Sequence, residues 1–112
     1  MGYCRAVRVG DHIYVAGTAP IMPGDADPPP DSYGQTHRCF EIIGAAIVEA
    51  GAGFEHVVRT RIFVTPDADF AEVARAHGDV FRDIRPVNTT VIVAALVDPR
   101  WLVEIEVDAV VS

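Results

Sequence analysis

The chain has 112 residues, enough for a single domain with one core, and 50% of them are hydrophobic, so a packed fold is expected rather than disorder. Its formal charge is -7 and all nine positive side chains are arginine, which excludes lysine Schiff-base chemistry and, without a basic patch, argues against nucleic acid as a partner. No apolar run approaches the roughly 20 residues that span a bilayer, and the start carries no secretory signal, so a cytoplasmic protein with no membrane partner is expected.

Val7 to Val9 and His12 to Ala16 are short β-rich runs. Gly10-Asp11 between them reads as a hairpin turn, and Gly17 closes the second strand. The proline-rich stretch from Pro23 to Pro30 is neither helix nor central strand and reads as a surface loop. A first helix is expected from Ser32, which has capping-box spacing to Gln35. Thr36, Phe40, Ile43, Ile47 and Ala50 form its apolar face, and Gly51 and Gly53 stop it. Val57 to Thr65 is a strand rich in β-branched residues. Asp69 and Glu72 repeat the capping spacing ahead of a second helix with the stripe Phe70, Val73, Ala74, His77 and Phe81. Thr89 to Leu96 and Leu102 to Val111 are the last two strands, joined through Asp98-Pro99-Arg100.

The expected order is β-β-α-β-α-β-β, an α+β fold in which two one-sided helices cover one face of a single mixed sheet. In the last strand Val103, Ile105, Val107, Ala109 and Val111 should face the helices. Glu104, Glu106 and Asp108 should face the other way, where Arg59 and Arg61 can balance them. An open sheet face in so small a chain favours self-association. Cys4 and Cys39 lack CxxC spacing and read as free thiols without an activating neighbour. His12, His37, His56 and His77 have no metal-ligand spacing, and His77 reads as a core histidine, so neither metal nor cofactor is expected.

The segments Tyr3 to Gly17 (YCRAVRVGDHIYVAG), Arg59 to Thr65 (RTRIFVT), Phe70 to Phe81 (FAEVARAHGDVF), and Pro86 to Thr90 with Leu102 to Val110 (PVNTT, LVEIEVDAV) together resemble the RidA/YjgF family, also called endoribonuclease L-PSP-like proteins. The resemblance implies a chorismate-mutase-like fold and a homotrimer with three clefts between subunits. It also implies hydrolysis of reactive enamines and imines without a cofactor.

The family's deaminases carry an arginine in a Pro-x-Arg signature that grips the substrate carboxylate. Here that position is Asn88, which has no charge. Arg85 lies close by in sequence, but strand alternation would aim it elsewhere. Glu104 matches the glutamate thought to position a water and is the expected catalytic residue. Tyr3 at the cleft mouth, Gly17 at a close backbone approach, and the polar pair Asn88 and Thr90 are the expected ligand-binding residues. If the strands of Asn88 and Glu104 pair as a hairpin through Pro99, these groups meet in one cleft. The function expected is that of a Rid-family small-molecule-binding protein, with hydrolysis of an imine, an enamine or another neutral metabolite, and not a standard 2-aminoacrylate deaminase. The rival readings are a conventional enamine/imine deaminase, or an endoribonuclease or translation inhibitor.

Overall fold

The computed structural model describes residues 1–112. Strands β1 (Ala6–Val9) and β2 (His12–Thr18) form the opening hairpin. Gly10, at φ 59°, takes the left-handed conformation that this tight turn requires. Helix α1 (Ser32–Glu49) follows the proline-rich loop and ends where Gly51 turns left-handed at φ 91°. Then come β3 (Val57–Val64), α2 (Phe70–Phe81), β4 (Val87–Ile92) and β5 (Val103–Val110). The five strands form one mixed sheet in the order β1-β2-β5-β3-β4, in which only β3 and β4 run parallel.

Helix α1 is capped differently from the expectation. Asp31, not Ser32, is the N-cap, accepting the Gly34 amide at 2.7 Å. Ser32 and Gln35 serve longer-range bonds instead. Ser32 Oγ accepts the Asp69 amide (2.9 Å). Gln35, 1% exposed, donates to the carbonyls of Pro29 (3.0 Å) and Arg100 (2.9 Å) and accepts the Leu102 amide (2.7 Å). One amide side chain thereby ties the loop and the entrance to β5 onto α1. Asp69 caps α2 as expected, accepting the Glu72 amide at 3.3 Å. The Glu72 carboxylate reaches across to the Tyr33 amide in the first turn of α1 (3.1 Å).

The α2 stripe shifts slightly. Val73 and Phe81 are buried, Ala76 is buried in place of the exposed Ala74, and Phe70 is 57% exposed. Helical side chains lean back over the preceding turn, and the first-turn Phe70 has no such turn beneath it. Phe40, Phe54, Phe81 and His77 form an edge-packed aromatic group between the helices, with Phe40 and Phe81 centroids 5.3 Å apart.

Strand β4 is shorter than expected and starts earlier. Its only partner is β3, which gives way to Thr65-Pro66 just where β4 ends, so the ladder loses its next residues. The expected β4–β5 hairpin does not form. The α2 crossover lays β4 outside β3, and β5 returns into the gap between β2 and β3, antiparallel to both.

The alternation of β5 follows the sequence. Val103, Ile105, Val107 and Ala109 are at most 1% exposed and join the core beneath the helices. On the opposite face Arg61 pairs with Glu106 (3.0 Å) and Asp108 (3.4 Å), and Arg59 with Asp108 (3.8 Å). Such partly exposed pairs contribute about 0.2–1 kcal/mol each, so their main effect is to relieve the stacked acids. Both cysteines are free, Cys39 in the core and Cys4 exposed. Burial pushes the Cys39 thiol well above its ordinary pKa, which makes it inert.

Candidate functional site

The site grows from an irregularity in β2. Between Val15 and Thr18 the strand shifts register against β5, and this bulge brings Gly17 against Glu104. A Cβ placed on Gly17 would lie 2.6 Å from Glu104 Oε2, so only glycine lets the carboxylate lie here undisturbed. Arg5, just ahead of β1, crosses the same bulge. Its Nη1 donates to the Gly17 carbonyl (2.9 Å) and to Thr18 Oγ1 (3.1 Å). The Tyr3 ring stands 5.9 Å from the Arg5 guanidinium carbon.

Tyr3, Arg5, Gly17 and Glu104, together with Val97 and Trp101 from the β4–β5 loop, line a cleft of about 360 Å³. Burial pushes the Glu104 carboxyl above its ordinary pKa; the Arg5 guanidinium pulls it back and the Glu106 carboxylate adds to the rise. A half-buried carboxyl with a raised pKa, beside a cation and an aromatic ring, suits proton transfer to or from a bound small molecule.

Asn88 and Thr90 are not in this cleft. Asn88 Nδ2 donates to Thr60 Oγ1 (2.9 Å), and its Oδ1 accepts from Thr90 Oγ1 (2.8 Å). Thr60 Oγ1 in turn meets His77 Nε2 at 2.9 Å. In register, Asn88 lies opposite buried Thr60, which faces the helices, whereas Glu104 lies opposite Phe63 on the open face. With β3 between β4 and β5, one chain brings together Tyr3, Gly17 and Glu104 and holds Asn88 and Thr90 at its far edge. The hairpin that was expected to join the two groups is absent, because parallel pairing with β3 takes the only bonded edge of β4. Arg85 sits exposed in a left-handed turn (φ 58°) ahead of β4 and does not line the cleft.

Sequence reasoning missed Arg5 and Trp101. The usable signal for Arg5 was an arginine two residues after the mouth tyrosine, in a segment otherwise feeding a strand. Trp101 could not be placed without knowing that the β4–β5 loop folds back over the end of β2. A second hollow of about 360 Å³ lies between β1 and α1, but its Arg8 is committed to the carbonyls of Gly10 and Ala50 (2.8 Å each). No helix is long and apolar enough to cross a membrane.

Comparison with known proteins agrees with this architecture. The family model described as Endoribonuclease L-PSP matches residues 1–111. A Streptomyces coelicolor protein is 40% identical over 112 residues, covering 96% of this chain and 81% of its own. A RutC family protein of Pyrococcus abyssi is 34% identical over 95 residues, covering 84% of this chain and 75% of its own. The crystal structure of a Mycobacterium tuberculosis member of the YjgF/YER057c/UK114 family superposes with a TM-score of 0.89 at 43% identity, covering 99% of this chain and 88% of that one. Escherichia coli TdcF, solved with bound serine, superposes with a TM-score of 0.90 at 27% identity, covering 100% of this chain and 90% of that one. From its core pattern, its strand order and these matches, the chain belongs to the endoribonuclease L-PSP family, the RidA/YjgF group of small α+β proteins.

Proposed function

We propose that this protein binds a small metabolite in the Glu104 cleft and hydrolyses an imine or enamine there, with no cofactor. The observation that carries this reading is the raised Glu104 carboxyl held against Gly17, with Tyr3 at the mouth. In the reaction, water adds to the imine carbon as its proton passes to Glu104. The Glu104 proton then goes to nitrogen, giving a carbinolamine; as the C–N bond breaks, the carbinolamine's hydroxyl proton also passes to nitrogen by way of Glu104, and ammonia leaves a carbonyl product. Serine bound to TdcF, a proposed reactive intermediate deaminase, supports a ligand of this size in the fold.

The cleft is completed by a neighbouring protomer in a homotrimer, on this reading. Support comes from edge strand β4, where Val87 (58% exposed), Val91 (44%) and Ile92 (74%) stand uncovered, and from Val97 (93%) in the loop beyond. Packing that edge against the next copy's cleft would add Asn88 and Thr90 as its far wall. The absence of the deaminase arginine at position 88 separates this protein from standard 2-aminoacrylate deaminases. Despite the family model's description, an RNA substrate finds no support in a chain of charge -7 with acids along its open sheet face.

The test is turnover. An imine generated in the assay by an amino-acid oxidase should disappear faster with the protein than in buffer, and Glu104→Gln should return it to the buffer rate. Equal rates for the natural protein and Glu104→Gln would remove Glu104 from the chemistry.

A further inference from the structure

The expectation of an uncharged ligand rested on Asn88 alone, yet the cleft contains a cation in another place. Arg5 is half-buried, and only its Nη1 is bonded, to Gly17 O and Thr18 Oγ1. Its Nε and Nη2 have no protein acceptor, and it takes part in none of the ion pairs of the fold. Arg59, Arg61 and Arg100 are each committed to carboxylates. Nor is Arg5 free to swing away, because the two bonds at Nη1 hold it across the bulge. An anchored guanidinium with one open edge has the two parallel donors that a planar carboxylate accepts.

We infer that Arg5 is the anion-holding, specificity-determining residue of the cleft, and that its ligand is a small molecule bearing a carboxylate close to the reacting carbon. This rests on the cleft assigned above. The surroundings fit an anionic ligand. Glu104, when ionised, would repel a second anion, but Arg5 lies close enough to pull its pKa down, so the guanidinium can balance both negative groups. The Tyr3 ring and Trp101 supply apolar walls for the remainder of a molecule of a few carbons. A cation on the Gly17 wall also holds the acid group at a different position from an arginine at residue 88. The preferred substrates should therefore differ from those of relatives with the arginine there.

The test uses α-ketobutyrate and its neutral counterpart α-ketobutyramide as product-like probes. Trp101, the sole tryptophan, lines the cleft and reports binding by fluorescence. The natural protein should bind the acid about ten- to a hundredfold more tightly than the amide, the scale of a charge-assisted hydrogen bond. Arg5→Gln, which is polar but has no charge, should erase the preference, so that the acid binds no more tightly than the amide. Arg5→Lys should retain part of it. A purely structural Arg5 would be replaced by glutamine without altering the acid-to-amide ratio, and that result overturns the inference. Equal binding of the two probes by the natural protein, or no binding of either at millimolar concentration, overturns it as well. An Arg5-dependent preference in a protein that hydrolyses no imine would uphold the inference and reject only the hydrolase reading.

Discussion

At Glu104 the chemistry proposed for the cleft conflicts with the stability of the fold. Its pKa in the folded chain is raised above the ordinary value of 4.5, chiefly by burial. The stabilisation linked to its proton is therefore complete below that ordinary value and is lost as pH rises through the folded one. Wherever it is ionised, the side chain is a burden on the fold. Glu104→Gln should accordingly raise the thermal midpoint at neutral pH while abolishing turnover, a combination that calorimetry and the imine assay can read on one sample. A lowered midpoint would mean that the carboxylate makes stabilising contacts that outweigh its desolvation. With Glu104 as the base, turnover should rise with pH along a limb above the ordinary carboxylate range. His77 shows the opposite sign. Burial lowers its pKa, so its contribution is present above the ordinary value of 6.5 and is lost as pH falls through the folded value. Replacing His77 with glutamine should flatten the fall in stability on the acid side of neutrality, as followed by thermal melts.

At the scale of elements, residue patterns along single segments were legible and pairings between segments were not. The alternation of β5 predicted which residues reach the core, because a strand buried on one face leaves a period of two in its own sequence. The Gly10 turn was equally local. The partner of β4 was not, since a strand ending in a loop toward β5 can join β5 or any other open edge, and the α2 crossover decided for β3. The cleft shows the same division. Glu104, Gly17 and Tyr3 were found from motif positions. Arg5 and Trp101 needed the bulge and the folded-back loop, features that depend on several segments at once. Gln35 illustrates a local signal with a non-local use: spacing suited to a cap, spent on three bonds to distant backbone. Gln35→Ala should therefore cost about 2–3 kcal/mol by urea denaturation, the range for buried backbone groups left without partners, whereas loss of an exposed cap would cost about 1 kcal/mol.

For the whole molecule, a sheet with one covered face and two unpaired edge strands, β1 and β4, is the ground for the proposed trimer of this 112-residue chain. Light scattering at micromolar concentration should give three times the chain mass. Ile92→Lys, on the exposed edge strand, should shift the population toward monomer and lower turnover, although the Glu104 cleft itself is untouched. A monomeric but fully active protein would show that one chain holds the complete site. The measurement that bears most directly on the account is an amide-resolved NMR titration of the natural protein with α-ketobutyrate. Shifts should concentrate at Tyr3, Arg5, Gly17, Trp101 and Glu104, with a second set at Asn88 and Thr90 from the adjoining copy. Shifts gathered instead around Arg8 and Glu49, in the hollow between β1 and α1, would contradict it.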